Sequence, residues 1–77
     1  MDAADTIQKF INGYGFERFI VYSRTDEWLA IDTKEEDESA IIALKNRLCA
    51  WNLQCNIWEH YIEIYIGDDD RFKKGDK

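Results

Sequence analysis

With 77 residues, 45% of them apolar, 34% charged and 14% aromatic, the chain has the composition of one small folded domain and not that of a disordered segment. A net charge of −6 argues against direct contact with nucleic-acid phosphates, which calls for a basic stripe. No apolar run approaches the roughly 20 residues of a membrane span.

The first residues, Met1-Asp2-Ala3-Ala4-Asp5, are acidic where a signal peptide is basic and then apolar, so a cytoplasmic location is expected, the host cytoplasm if the chain is virus-encoded. Asp2 is placed to cap a first helix in which Ala3, Ile7, Phe10, Ile11 and Tyr14 share one face and which ends at Asn12-Gly13. Phe16 to Tyr22 and Glu27 to Ile31 are rich in aromatic and β-branched residues and flank the polar Ser23-Arg24-Thr25-Asp26, which predicts a β-hairpin. With a three-residue loop one face carries Phe19, Val21, Leu29 and Ile31, and the other Ile20, Tyr22, Trp28 and Ala30. Changing the loop by one residue regroups them.

Residues 33–53 read as one long amphipathic helix. Thr33-Lys34-Glu35-Glu36 has the spacing of a capping box, and Ile41, Leu44, Leu48 and Trp51 recur at helical intervals to form a core face. A second apolar line, Ile42, Cys49 and Leu53, calls for another helix alongside or for a partner. Beyond it Ile62, Ile64 and Ile66 alternate with Tyr61, Glu63 and Tyr65, the pattern of a half-buried strand. Cys55 to Trp58 form either a separate strand turning at Glu59-His60 or the front half of one long strand. The expected fold is α+β, in the order α-β-β-α-β(-β), with a three- or four-stranded, mainly antiparallel sheet and the long helix on one face. Residues 1–67 are expected to form a single domain and residues 68–77 a flexible charged tail.

Charge is concentrated in one window. Asp26, Glu27, Asp32, Glu35, Glu36, Asp37 and Glu38 face only Lys34 between positions 26 and 38, so the window alone carries the net charge of the chain. Carboxylates at a helix start complement its dipole, and such a run is commonly a solvated face. The same run, joined by Asp68, Asp69 and Asp70, also offers a basic protein surface a row of carboxylates like that of nucleic-acid phosphates. In size and charge the chain resembles the small acidic, virus-encoded inhibitors of nucleic-acid enzymes, the anti-restriction and anti-CRISPR class; the likeness lies in composition, with no motif behind it. A second surface is aromatic, with Tyr61 and Tyr65 turned away from the isoleucine face and, in the three-residue-loop register, Tyr22 and Trp28 beside them.

Catalytic chemistry finds little support. His60 is the only histidine, and Cys49 and Cys55, which lack CxxC spacing, read as free buried thiols. Asp68-Asp69-Asp70 lacks the alternating acids and central glycine of a calcium loop. The expectation is therefore a protein-binding module without catalytic residues, cofactor or metal, an inhibitor or adaptor docking on a basic partner through Asp26, Glu27, Asp32, Glu35, Glu36, Asp37, Glu38, Trp28, Tyr61 and Tyr65. The alternatives are an RNA- or nucleotide-binding module using the aromatics, and a small structural homodimer.

Overall fold

The computed structural model describes residues 2–67 and Phe72. Two helices, α1 (Ala3–Asn12) and α2 (Glu38–Ala50), alternate with two hairpins, β1 (Val21–Ser23) with β2 (Trp28–Asp32) and β3 (Gln54–Ile57) with β4 (Tyr61–Tyr65). The strands form one antiparallel sheet in the order β1-β2-β4-β3. The expected α-β-β-α-β-β order is realised with all four strands present. Among the described residues no helix is long and apolar enough to cross a membrane.

One face of the sheet is built by the period-two alternation of β2 and β4. Leu29 and Ile31 lie opposite Ile64 and Ile62, and all four are buried. Both helices close this face: Ile7 and Ile11 of α1 and Leu44 and Leu48 of α2 join the isoleucines in one core with Phe19, Val21, Leu53 and Ile66. The two helices meet where the Phe10 ring stacks on Trp51 at 4.1 Å and where the Arg47 guanidinium sits 4.2 Å from the Tyr14 ring. Phe72 packs edge-on against Trp51, and the rest of the expected tail lies outside the described residues. The second apolar line of α2 is divided. Leu53 is buried, while Ile42 is 46% exposed and Cys49 is exposed, not buried as its helical position suggested.

Both helices end by the same device. In α1 the amides of Gly15 and Phe16 return to the carbonyls of Asn12 and Ile11, with Gly15 at φ 87. In α2 the amides of Asn52 and Leu53 return to Cys49 and Leu48, with Asn52 at φ 63. A left-handed residue followed by an apolar one that folds back on the last turn satisfies the terminal carbonyls, packing a partly buried Phe16 against the core in one case and burying Leu53 in the other. Helix α1 itself ends at Asn12 with Gly13 as its cap residue, as expected, and the left-handed Gly15 belongs to the turn that follows.

Two boundaries depart from the sequence reading. Helix α2 begins at Glu38, with Asp37 as its cap residue, and not at Thr33. The Thr33 amide donates to the His60 carbonyl at 2.9 Å, continuing the β2–β4 ladder. Its carbonyl accepts from the Glu36 amide, so the apparent capping box is a turn that leaves the sheet. The carboxylate of Asp32, not the Thr33 hydroxyl, holds that turn, taking the Lys34 amide at 2.9 Å. The second departure is β1, far shorter than positions 16–22. A turn closes where the Phe19 amide donates to the Phe16 carbonyl, and the strand starts only after the Gln8 side chain takes the Phe19 carbonyl and the Val21 amide. The hairpin register pairs Ser23 with Leu29 and Val21 with Ile31. Its loop is longer than three residues by an even step, so the predicted grouping of faces is preserved.

Candidate functional site

The other face of the sheet has no helix over it among the described residues, since the buried side chains of both helices belong to the isoleucine side. Its side chains follow from register. A central row runs Tyr22, Ala30, Glu63, Asn56; on one side lie Trp28, Tyr65 and Gln54, and on the other Asp32 and Tyr61. Trp58, at the turn between β3 and β4, joins the Tyr61 end: its amide donates to the Tyr61 carbonyl at 2.8 Å, and its ring lies nearly parallel to the Tyr61 ring. At the opposite end the Trp28 and Tyr65 rings are 4.8 Å apart.

Glu63 stands between these aromatic pairs. Its carboxylate is the focus of the face: Oε1 accepts from the Trp58 indole Nε1 at 3.1 Å and from Asn56 Nδ2 at 3.5 Å, and Oε2 lies 3.4 Å from Arg24 Nη1. Arg24 comes from the β1–β2 hairpin, and its guanidinium rests 5.0 Å from the centre of the Tyr61 ring. A hydrogen bond with Tyr61, followed by the charges around it, pushes the Arg24 pKa above its ordinary value. Ala30 is fully buried although it belongs to this face; a side chain that stops at Cβ leaves a low point between Tyr22 and Glu63.

The acidic window is not one patch. Asp26 and Glu27 lie in the hairpin before β2, where the Ile66 amide reaches the Glu27 carbonyl. Asp32 is the last residue of β2, opposite Tyr61, and Glu35, Glu36, Asp37 and Glu38 follow in the turn and first residue that lead into α2; the strand between the two groups rises about 3.3 Å per residue. The window therefore places acids at both ends of the aromatic face, with Trp28, Tyr61 and Tyr65 between them. Its members also differ in engagement. Glu36 pairs with Arg18 at 3.0 Å and is mostly covered, and Asp32 holds its turn. Asp26, Glu27, Glu35, Asp37 and Glu38 are exposed. Asp68, Asp69 and Asp70 lie outside the described residues.

Glu63, Trp58, Arg24 and Asn56 were not singled out from the sequence as site residues. Glu63 had a visible signal, as the single charge in the alternating Tyr61-Glu63-Tyr65. Arg24 had none, because its place depends on pairing between distant strands.

The titratable groups elsewhere carry little chemistry. His60 is in an exposed turn, with Nε2 3.9 Å from Glu59 Oε2. Burial, and after it the neighbouring Cys49, pushes the Cys55 thiol up to about 12. Among the described residues no group of three His, Cys, Asp or Glu side chains is placed to hold a metal ion. Compared with known proteins, the chain matches no family model, no curated protein and no solved structure.

Proposed function

We propose that this chain is a small non-catalytic protein-binding module, an inhibitor or adaptor that docks on a basic, nucleic-acid-binding partner through the outer face of its sheet. The observation that carries the reading is Glu63: a carboxylate held in the middle of an aromatic face by an indole and an amide, with exposed acids at both ends of that face. Aromatic side chains bury much area with few rotamers to lose, and they dominate protein interfaces. Carboxylates around them steer a basic partner and discriminate against an acidic one. The same carboxylate disfavours an RNA- or nucleotide-binding role, because a stacked base would bring its phosphate towards Glu63. An inhibitor of the anti-restriction or anti-CRISPR kind would use these charges against the surface with which its target holds phosphates.

The test begins with capture of the partner from the native host and measurement of its affinity. Tyr61→Ser combined with Glu63→Lys is expected to abolish the binding, while Glu35→Lys with Glu38→Lys slows association and removes most of its salt dependence. A partner whose affinity ignores both pairs of substitutions would refute the reading.

Self-association is a second reading, favoured by β3. That strand is an outer edge of the sheet, carries no charge or proline in Gln54-Cys55-Asn56-Ile57, and lies beside α2, which exposes Ile42 and Cys49. Light scattering at high micromolar concentration is expected to report a dimer under this reading, and a strict monomer removes it.

A further inference from the structure

We propose that Arg24 occupies, within the molecule, the seat of an arginine side chain that the partner supplies. The inference rests on the docking reading above and names the chemistry that this face selects. The seat has a floor and an acceptor: the Tyr61 ring, backed by Trp58, and Oε2 of Glu63. Oε1 is already engaged by Trp58 and Asn56, which orients the carboxylate before any cation arrives. A guanidinium suits this arrangement better than an ammonium, since it is flat, stacks on an aromatic ring and presents a fork of donors to a carboxylate.

Arg24 fills the seat without sealing it. Its 3.4 Å approach to Glu63 is long for a charge-assisted bond, and its side chain remains 42% exposed while that of Glu63 is 18% exposed. The hairpin does not depend on that side chain. The amides of Arg24 and Thr25 donate to the Trp28 carbonyl, and Thr25 Oγ1 accepts from the amides of Glu27 and Trp28. Arg24 can therefore swing out and leave the turn intact. A tethered occupant weakens a competitor in proportion to the fraction of time it is seated, and an arginine in place about nine times in ten raises the apparent Kd about tenfold.

Titration of the wild-type, Arg24→Ala and Arg24→Gln proteins with a blocked glycine–arginine peptide, followed by NMR at the Trp58 indole Nε1–H and the Tyr61 ring, tests this. Both variants are expected to bind about fivefold to tenfold more tightly than wild type, with shifts centred on those two residues. Adding Glu63→Gln to Arg24→Ala removes the binding, and a glycine–lysine peptide of equal charge binds several-fold more weakly. Equal affinities for wild type and both variants, shifts centred elsewhere, or a lysine peptide as tight as the arginine one would each overturn the proposal. Circular dichroism confirms the fold of each protein, and Glu63→Asp replaces Glu63→Gln if the double variant unfolds. If the arginine seat fails while the captured partner still needs Tyr61 and Glu63, the docking reading stands alone. If the peptide seats but the captured partner ignores those residues, the docking reading falls.

Discussion

Thr33 is a buried threonine whose hydroxyl has no hydrogen-bond partner among the described residues. A hydroxyl left unpaired in an interior costs roughly 1–3 kcal/mol, so its removal relieves the fold. Thr33→Val, which keeps the β-branched shape, is expected to leave stability unchanged or raise it by up to about 1 kcal/mol in urea denaturation. A helix-capping threonine would instead cost about 0.5–2 kcal/mol on losing its hydroxyl. The cysteines divide in the same residue-by-residue way. Cys49 is exposed and Cys55 is half-buried with its thiol pushed up from 9.0 to about 12, so native-state alkylation at pH 8, read by mass spectrometry, is expected at Cys49 and not at Cys55. The folded protein keeps the Cys55 proton that the unfolded chain releases above pH 9. Its contribution to stability is therefore complete below pH 9 and is lost as pH rises from there towards 12, a decline that Cys55→Val makes shallower.

At the scale of elements, the helix ends are the points where one backbone angle decides a boundary. Asn52 stands at φ 63, a region open to glycine without strain and to asparagine at some cost. Asn52→Gly is expected to raise stability by a few tenths of a kcal/mol to about 1 kcal/mol, and Asn52→Ala to lower it by a similar amount, as read from denaturation midpoints. In the middle of α2, Leu44→Ala or Leu48→Ala is expected to cost roughly 2–5 kcal/mol, since both side chains are wholly buried in the shared core; a loss below about 1 kcal/mol would contradict that burial. Periodicity made these core positions legible, because helix and strand faces repeat within a few residues. The alternation of β4 and the face grouping of the first hairpin were legible for the same reason. The start of α2 was not, because the bond from the Thr33 amide to the His60 carbonyl is made between residues far apart in the chain. Local capping spacing competes there with a sheet that the local sequence does not contain. The short β1 escaped for a related reason, since a side chain from α1 takes the backbone groups that would have extended it.

For the molecule as a whole, the arrangement that matters is acids at either end of an aromatic face. The sequence made the charges and four of the aromatics, Tyr22, Trp28, Tyr61 and Tyr65, visible, but a run of acids close together in the chain becomes two groups once β2 passes between them. Partner association is accordingly expected to respond differently to the two groups. Reversal of Asp32, which lies opposite Tyr61 in the sheet, should slow association more than reversal of Asp26 and Glu27, beside the Trp28 end, because Tyr61 and Glu63 form the cation seat. Stopped-flow association rates with the captured partner at two salt concentrations measure the difference. Equal slowing would mean that steering acts on total charge and not on place. Reversal of Glu35 and Glu38, or of Asp26 and Glu27, leaves the fold largely intact: at the start of α2 the helix-dipole term is about 0.3–1 kcal/mol per charge, and Asp26 and Glu27 are exposed residues of a hairpin loop, away from any helix start.

The Gln8 amide has a consequence for how copies of this protein would accumulate. By accepting from the Val21 amide at 2.7 Å and donating to the Phe19 carbonyl at 2.8 Å, one side chain imitates the peptide group of a neighbouring strand and caps that edge of the sheet. The edge at β3 has no such cap among the described residues. A sheet with a single open end can be extended once, β3 against β3 about a twofold axis, and the product has no free end on which a further copy can add. Gln8→Ala uncaps the second end, at β1, and makes a further pairing there available beside the one at β3. If β3 pairs with β3 in the wild type, sedimentation of that variant is expected to show species larger than the wild-type dimer that grow as concentration rises.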